Sequence, residues 1–383
     1  MKFTYIKSLE LTYRGDSEEI KDLTRRCKMM NVGGVYTCLD HAEKGVIMKK
    51  MKCKNKYKGN RKIVIMAYPI KLIDEDPSCE RTISEIDFVE VCQRLDELIQ
   101  QIMPGLTVSD FKLNRMVIAR KMLNIPKHIG REYIMIMRKM SLKDPFTINT
   151  KQKDCNSGLG CEDYFSAVDD KGVEFAVYNE RCETADRNYS EDAENMMRIE
   201  LQCSKGLIHD LTKGLDTMKA VLLMSRSANK ILNNFYARVF KYGTDLCYIS
   251  RDRQKRFIKK KYNDKAVRKE LLEIIKEMRC SNVDLDMVLC EHYYNRSKKD
   301  MMMEFTEMGF SPIPIRSDRF SFISPLDFVL GFCNEYKYQG LKENACYNEI
   351  KHSIDSEKEM FDYDPFRSSN QIVMPEVNQV NSE

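Results

Sequence analysis

The sequence predicts an α+β fold, with a mainly antiparallel N-terminal sheet and crossover helices followed by an all-helical C-terminal region. Three observations support this prediction. Runs with two-residue alternation recur as far as Cys203, helical patterns separate several of them, and no convincing strand follows Leu215. We therefore expect an α+β domain over residues 1–215, a helical domain over 216–361 and a disordered tail over 362–383.

The composition is typical of a globular protein. Of the 383 residues, 43% are hydrophobic and 32% are charged. The longest apolar runs, such as Ala220–Met224, are far shorter than the ~20 residues that span a bilayer, and the N-terminus lacks the apolar stretch of a signal peptide. The fourteen cysteines form no C-x-x-C pair. We therefore expect reduced thiols in a cytoplasmic protein that has no membrane partner.

The first elements of the chain are predicted strands. Residues 1–14 have strand character and are followed by an acidic polar segment to about Arg26. Val46–Cys53 and Lys62–Tyr68 are interpreted as the two arms of a hairpin. The tip between them contains Asn and Gly, which favour a turn, and places Tyr57 among lysines.

Helix and strand then alternate. Ile83–Met103 has helical periodicity and ends at Pro104-Gly105. Leu106–Met122 is predicted to be a long strand, and a helix is predicted around Arg131–Met140. The order of strands, helix, strand and helix supports the α+β assignment.

Two later segments combine strand alternation with chemically useful side chains. Gly172–Glu183 follows a turn signal at Asp169–Gly172, and Asn195–Cys203 comes after a polar, acidic loop. Alternation places polar side chains on one face of each segment, namely Glu174, Tyr178 and Glu180 in the first and Arg198, Glu200 and Gln202 in the second. If the two strands are close neighbours in one sheet, a tyrosine, an arginine and carboxylates meet there. Many half-exposed sheets have the same pattern.

The region after Leu215 is predicted to be helical. Thr217–Phe240 has a helical pattern, and Asp264–Met278 is an amphipathic helix with Asp264 as its N-cap. Ser297 begins a capping-box pattern that ends at Gly309, and Ser324-Pro325 marks another helix start. Short helices beside basic residues are compatible with a helix-turn-helix module.

Positive charge is clustered although the net charge is only +5. Lys44–Lys62 contains nine Lys/Arg and no acid, and Arg251–Lys261 contains seven Lys/Arg and one acid. Such clusters are typical of a protein that binds a phosphate-rich partner, although solvated lysine-rich loops have the same composition. The candidate DNA-binding residues are Lys50, Lys52, Lys54, Lys56, Tyr57, Lys58, Arg61, Arg251, Arg253, Arg256, Lys259 and Lys260.

Several common sites are absent from the sequence. It contains no phosphate loop, no strand-linked G-x-G-x-x-G and no G-x-S-x-G elbow. The five histidines are far apart, and none forms a His-hydrophobic-His pair. The polar strand pair around Tyr178 is therefore the main candidate for chemistry.

The motifs V-Y-N-E-R-C-E and M-R-I-E-L-Q-C resemble the paired motifs of phage and plasmid rolling-circle replication initiators, of the trans-acting plasmid Rep and filamentous-phage gene II types. In that family a strand ending in I-Y-[N/D]-K-x-x-E precedes a strand with R-[I/V]-E. The matching residues here are Tyr178, Asn179, Glu183, Arg198, Ile199 and Glu200. The resemblance covers roughly residues 60–210 and implies a nicking-domain fold.

The resemblance implies that Tyr178 nicks one DNA strand and becomes linked to the 5′ phosphate. A phenol has a pKa near ~10, so it needs a base or an activated phosphate. Mg²⁺ or Mn²⁺ held by Glu200 and Glu183 would polarise the phosphate, and Arg198 would steady Glu200 or a phosphate oxygen. The implied partners are single-stranded or hairpin origin DNA, a host replication helicase and a second copy of the chain.

Two positions depart from the family pattern. Val117 stands where the family strand has an acid, and Glu180 stands where the family has a lysine. Glu180 or Glu174 could replace the missing ligand. Alternatively, the chain is a non-catalytic DNA-binding regulator of the same ancestry. A structural or protein-interaction module is the third hypothesis, and it leaves the basic clusters unexplained.

Overall fold

The computed structural model describes residues 2–52, 61–73, 85–122, 125–149, 163–179, 196–280, 283–292, 296–316 and 322–332. The chain divides into two compact units. Unit 1 comprises Met1–Ile134 and Leu142–Lys241, and unit 2 comprises Met135–Ser141 and Tyr242–Glu383. The fold is α+β, because a large antiparallel sheet dominates unit 1 and helices dominate unit 2.

A ten-stranded sheet forms the centre of unit 1, with the strand order β2-β3-β4-β5-β1-β6-β10-β9-β8-β7. Every neighbouring pair is antiparallel. The strands are β1 (Lys2–Arg14), β2 (Met30–Val32), β3 (Val35–Cys38), β4 (Val46–Lys52), β5 (Arg61–Ala67), β6 (Lys112–Met122), β7 (Thr147–Ile148), β8 (Tyr164–Val168), β9 (Glu174–Asn179) and β10 (Met197–Cys203). The predicted antiparallel sheet is confirmed, and so is the predicted antiparallel pairing of β4 with β5.

The described residues of unit 1 contain the starts of seven α-helices: α1 (Ser17–Arg26), α2 (Pro69–Ile73), α3 (Glu85–Ile102), α4 (Lys127–Lys139), α5 (Lys205–Thr212), α6 (Thr217–Arg226) and α7 (Ala228–Val239). The C-terminal part of α4, from Met135, belongs to unit 2. Residues 216–361 were predicted to form the helical C-terminal domain, whereas in the structure α6 and α7 belong to the same unit as the sheet.

The acidic segment before Arg26 is a helix rather than an irregular connection. Asp16 caps α1, because its side chain accepts hydrogen bonds from the backbone N–H groups of Glu18 and Glu19, each at 2.8 Å. Ile20 and Leu23 bury one side of the helix. Such a short helix needs few apolar residues, so the helical periodicity of this segment was too weak to predict the helix from the sequence.

One face of the central strands is covered by α7. This helix-covered face contains three residues that are aligned across neighbouring strands, namely Val177 of β9, Ile199 of β10 and Arg120 of β6. Phe175, two residues from Val177, has its ring 6.0 Å from that of Tyr236 on α7. Packing of these side chains explains why β9 contains Phe175 and Val177 at alternate positions.

Buried Arg120 is held on the helix-covered face by neutral partners. Its Nη2 donates to Asn229 Oδ1 at 2.7 Å and Asn233 Oδ1 at 2.6 Å, both on α7, and its Nε donates to Thr4 Oγ1 at 3.0 Å. Burial lowers the pKa of the Arg120 guanidinium to about 10. The arginine therefore connects the sheet to α7.

Unit 2 contains α8 (Arg251–Lys261), α9 (Lys265–Glu277), α10 (Leu285–Glu291), α11 (Lys298–Met308) and α12 (Leu326–Val329). The predicted Asp264 cap, Ser297 capping box and Gly309 stop are all present. Two short strands, β11 (Tyr248–Ile249) and β12 (Phe322–Ile323), pair with each other, which the sequence did not indicate. Among the described helices, none is both long enough and apolar enough to cross a bilayer.

Candidate active site

The two motif strands are adjacent, as predicted. In the antiparallel pair β9–β10, Tyr178 lies opposite Arg198 and Ala176 lies opposite Glu200. On the other side of β10, Arg198 lies opposite Lys121 of β6. Because directly opposite residues point to the same side of a sheet, Tyr178, Arg198, Glu200 and Lys121 share one surface. We call this surface the polar face.

Tyr178, Glu200 and Lys7 form one hydrogen-bonded cluster on the polar face. The Tyr178 hydroxyl donates to Glu200 Oε1 at 2.5 Å, and Lys7 Nζ lies 2.6 Å from the same oxygen. Lys7 Nζ also donates to Tyr178 Oη at 3.3 Å. The Glu200 carboxylate is therefore positioned to accept the phenolic proton, and the Lys7 ammonium lies within hydrogen-bond distance of both groups.

Lys7 was not identified from the sequence. Between Ile6 and Ser8 the pairing of β1 with β6 shifts, and Lys7 is the extra residue of this β-bulge. The sequence does contain a signal. In β1, buried Ile6 is followed by buried Leu9, three residues later. This odd spacing breaks the two-residue period by which a regular strand returns to the same face.

Cations outnumber the described carboxylates near Tyr178. Arg198 Nη1 is 4.0 Å from Glu200 Oε1, and both Arg198 and Lys121 are buried. Lys7, Arg198 and Lys121 thus bring three positive charges to the part of the polar face that the structure describes around Glu200. A surface with this balance suits an anion such as a phosphodiester.

The Tyr178 ring is less exposed than expected for a residue on an open sheet face. Its residue exposure is 2%, whereas the side chains of Lys7 and Glu200 are 23% and 16% exposed. Tyr164 of β8 stacks on it, with ring centroids 5.8 Å apart and planes at 15°. The ring is fixed by this packing, and the charged partners of its hydroxyl reach solvent.

Glu174 has other partners. Its Oε1 accepts hydrogen bonds from Asn149 Nδ2 at 3.0 Å and from the Tyr164 hydroxyl at 3.4 Å. It lies opposite Gln202, one aligned pair farther along the strands than Glu200. Glu174 therefore supports the neighbouring tyrosine, which differs from the ligand role considered for it in the sequence.

The motif residue Asn179 lies away from the polar face. Its Nδ2 donates to Asp163 Oδ1 at 2.8 Å, and Arg131 forms a two-pronged contact with the same carboxylate, each bond being 2.8 Å. Burial raises the pKa of Asp163, but the hydrogen bonds from Arg131 and Asn179 outweigh it, so the net shift is downward. Gly130 leaves room for Asn179, since a Cβ there would lie 2.3 Å from Asn179 Oδ1.

The described side chains do not by themselves form a divalent-metal site. Glu180 and Glu183, two of the three predicted ligands, lie outside the described residues. Among the residues that the structure describes, no group of three or more His, Cys, Asp or Glu side chains could hold a metal ion. Glu200 Oε1 instead contacts the Lys7 ammonium. Val117 lies opposite Gln202, so β6 adds no carboxylate at the position where the family has one.

The predicted DNA-binding residues of the first basic cluster are only partly described. Lys50 Nζ lies 5.1 Å from the centroid of the exposed Tyr36 ring, to which it is opposite in the β3–β4 pair. Lys52 and Arg61 are opposite each other at the ends of β4 and β5. The remaining members, Lys54, Lys56, Tyr57 and Lys58, lie outside the described residues.

The second basic cluster forms one wall of a groove in unit 2. The groove is a cavity of about 530 Å³ between α8 and α9, lined by Arg251, Lys255, Lys259, Lys265, Arg268, Lys269, Leu272, Glu273 and Lys276. Arg251 and Lys259 were predicted, whereas the α9 residues were missed because acids are interspersed with them in sequence. Arg256 and Lys260 are exposed on α8 but do not line the groove.

Arg253 requires a correction. It is only 4% exposed, which argues against direct contact with a DNA backbone. Helical periodicity explains the burial, because Arg253, Gln254 and Ile258 form the buried side of α8. The prediction counted the basic residues of this run without considering which side of the helix each one occupies, and it therefore included Arg253.

No protein-family model matches the chain, and no curated protein matches it. A solved structure to which the chain is similar is that of the rolling circle replication initiator protein from Geobacillus stearothermophilus. The similarity covers 63% of this chain and 87% of that chain, with 8% sequence identity and a TM-score of 0.30. At this level the likeness carries no argument about the fold or the function of this chain.

Proposed function

We propose that this chain initiates rolling-circle replication of a plasmid or phage-like element by nicking one DNA strand with Tyr178. The observation that carries the proposal is the hydrogen bond from the Tyr178 hydroxyl to Glu200, reinforced by Lys7. A buried tyrosine on a strand is usually a packing residue. Here its hydroxyl is joined to two ionisable side chains that reach solvent, as a nucleophile and its base require.

The proposed reaction transfers a phosphoryl group to the phenol. Glu200 accepts the proton of Tyr178 as Oη attacks the phosphorus, and the 5′ phosphate becomes linked to the tyrosine while the 3′ oxygen leaves. Lys7 and Arg198 stabilise the negative charge that develops on the phosphate. The freed 3′-OH then primes synthesis.

The metal remains a prediction. Mg²⁺ or Mn²⁺ would polarise the scissile phosphate. The sequence proposed Glu200, Glu183 and Glu180 as its ligands. Because Glu200 Oε1 contacts Lys7 and the Tyr178 hydroxyl, the proposed reaction uses Glu200 as the base and leaves the ion to Glu183 and Glu180, which lie outside the described residues. Adduct formation with Mn²⁺ compared with formation in a chelator tests whether an ion is needed.

The α8–α9 groove is the proposed binding site for the DNA backbone. Seven Lys/Arg residues line it against one acid, Glu273. We expect binding there to weaken steeply as salt rises, because each neutralised phosphate releases condensed counterions. A host helicase and a second copy of the chain are further proposed partners.

The test is a covalent trap. The full chain is incubated with a labelled pool of random single-stranded oligonucleotides in Mn²⁺, and adducts that survive denaturant are counted. We expect an adduct in the wild type and in Tyr164→Phe, a matched tyrosine on the neighbouring strand, and none in Tyr178→Phe. An adduct that persists in Tyr178→Phe would refute the assignment of the nucleophile.

The second candidate is a non-catalytic DNA-binding regulator. The low exposure of Tyr178 and the valine at position 117 favour it. The same trap separates the two functions. DNA binding that weakens with salt and never yields an adduct in the wild type would establish the regulator.

A further inference from the structure

The α8–α9 groove is lined by cations in two rows. On α8 they are Arg251, Lys255 and Lys259, which recur at intervals of four residues. They therefore follow one side of the helix, about 6 Å apart along its axis. On α9 the lining runs from Lys265 to Lys276, about 16 Å along the axis. Two positively charged rows thus border one channel within unit 2.

The carboxylates near these cations are held only by exposed pairs. Glu273 is the acid among the described lining residues, and its Oε1 is 4.0 Å from Lys269 Nζ. Lys255 Nζ lies 3.2 Å from Oδ1 of Asp252, which does not line the groove. Exposed pairs of this kind contribute little to stability, so a phosphate can replace either carboxylate at small cost. A bound anion also offsets the repulsion between like charges four residues apart on a helix.

The channel is narrow compared with a DNA duplex. α8 and α9 are in contact with each other, and the axes of packed helices are about 8–10 Å apart. The major groove of a duplex alone is about 12 Å wide. A duplex can therefore reach only the outer edge of the channel with one backbone. A single strand can lie along the channel, with α8 on one side of its phosphates and α9 on the other.

The lining side chains suit phosphate better than bases. Among the described residues that line the groove none is aromatic, so bases have no ring there on which to stack. Five of the seven lining cations are lysines, which act as flexible point charges, whereas arginine is favoured for two-pronged contact with a guanine edge. Leu272 adds an apolar surface for the sugar. This chemistry favours a backbone that is bound without regard to sequence.

We propose that the α8–α9 groove binds the sugar–phosphate backbone of single-stranded DNA independently of base sequence, with α8 and α9 contacting the same run of phosphates. The inference rests on the proposed function for the identity of the polyanion. It assigns the binding of a single strand to unit 2, whereas the proposed cleavage belongs to the polar face of unit 1.

The test measures reversible binding separately from cleavage. Every protein carries Tyr178→Phe, and fluorescence anisotropy follows a mixed-sequence single-stranded DNA of about 12 nucleotides over a range of salt. Lys255→Met together with Lys269→Met removes one cation from each wall. We expect the slope of log affinity against log salt to become shallower by about 1.4, or 0.7 for each lost phosphate contact. At about 0.1 M salt this corresponds to about 25-fold weaker binding.

Two further pairs of substitutions serve as controls. Arg279→Met with Lys299→Met removes the same charge from exposed positions of unit 2 that do not line the groove, and it should leave the slope unchanged. Lys255→Arg with Lys269→Arg keeps the groove charge and should also preserve the slope. Circular dichroism checks that each variant is folded. Normal binding by the folded Lys255→Met, Lys269→Met protein would contradict the proposal.

Competing ligands identify the class of polyanion. Single strands of different sequence should bind alike, and the same DNA annealed to its complement should bind more weakly. Equal or tighter binding of the duplex overturns the proposal, and so does equal competition by inorganic tripolyphosphate, which would make the groove a site for a small polyphosphate. The covalent trap is read independently. An adduct in the wild type with normal binding by the groove variant would leave the nicking function standing and reject this inference alone.

Discussion

Arg120 and Lys7 are cations on opposite faces of the same sheet, and their partners differ in kind. Arg120 is bonded to two amides and a hydroxyl, none of which ionises at ordinary pH. Lys7 is bonded to a carboxylate and a phenol, both of which exchange protons. Arg120 is 3% exposed, whereas the Lys7 side chain is 23% exposed.

These differences indicate that Arg120 stabilises the fold, whereas Lys7 is available for chemistry. A buried guanidinium with neutral partners cannot pass on a proton, but losing it leaves polar groups unsatisfied. A lysine between an acid and a phenol contributes less to packing, and its charge can stabilise a bound anion. The polar face should therefore govern activity, and the helix-covered face should govern stability.

The largest expected effect on stability is that of Arg120→Met. This change removes the three hydrogen bonds that buried Arg120 donates to Asn229, Asn233 and Thr4, so we expect a loss of about 2–4 kcal/mol in the free energy of unfolding. Urea denaturation measures it. Arg26→Met is the control, because Arg26 forms an exposed pair with Asp22 on α1 and should cost less than about 1 kcal/mol. Equal losses in the two variants would remove the distinction between the faces.

Glu200→Gln should produce the opposite result. The amide cannot accept the phenolic proton, so we expect the adduct rate to fall about 10²–10⁴-fold. The free energy of unfolding should change by only about 1 kcal/mol, because Glu200 reaches solvent and its ion pair is partly screened. The rate is measured by the denaturant-resistant adduct. A large loss of stability with unchanged rate would reverse the roles assigned to the faces.

The sequence was sufficient for the local part of this picture. Two-residue alternation in β9 and β10 correctly placed Tyr178, Arg198 and Glu200 on one face. Cap residues such as Asp264 and Ser297 marked helix starts because their side chains bind backbone groups only a few residues away. Both signals lie within one short segment.

The missing part depends on contacts between distant segments. Lys7 meets Tyr178 across 171 residues of sequence, and only the pairing of β1 with β6 and of β6 with β10 brings them together. Asn179 matched a catalytic motif, but it is bonded to buried Asp163, just before β8, which in turn pairs with Arg131 of α4. Local pattern cannot decide such placements.

A smaller effect is expected at Asp163 of the helix-covered face. Its pKa is lowered in the folded protein, because the bonds from Arg131 and Asn179 outweigh burial. The ionised form therefore stabilises the fold above the ordinary carboxyl pKa, and this contribution is lost as the pH falls through the lower folded value. We expect Asp163→Asn to cost about 1–3 kcal/mol at neutral pH.

Acid titration sharpens this prediction. Urea denaturation of the wild type and Asp163→Asn should show a stability gap that narrows as the pH is lowered below the ordinary carboxyl range. Asp210→Asn is the control, since Asp210 forms an exposed pair with Lys171 and should show almost no gap at any pH. A gap that widens in acid would contradict the lowered pKa of Asp163.

The smallest expected effect is that of Arg115→Met on the rim of the polar face. Arg115 is exposed and donates to Gln202, which is opposite Val117 in the β6–β10 pair. Losing one exposed hydrogen bond should change the free energy of unfolding by about 0.5 kcal/mol or less. The adduct rate should also be unchanged, because Arg115 has no contact with the cluster of Lys7, Tyr178 and Glu200 among those that the structure describes. If Arg115→Met lowered the adduct rate as much as Glu200→Gln, the reactive surface would extend to this rim. The charges of Lys7, Tyr178 and Glu200 would then not be sufficient to control the chemistry.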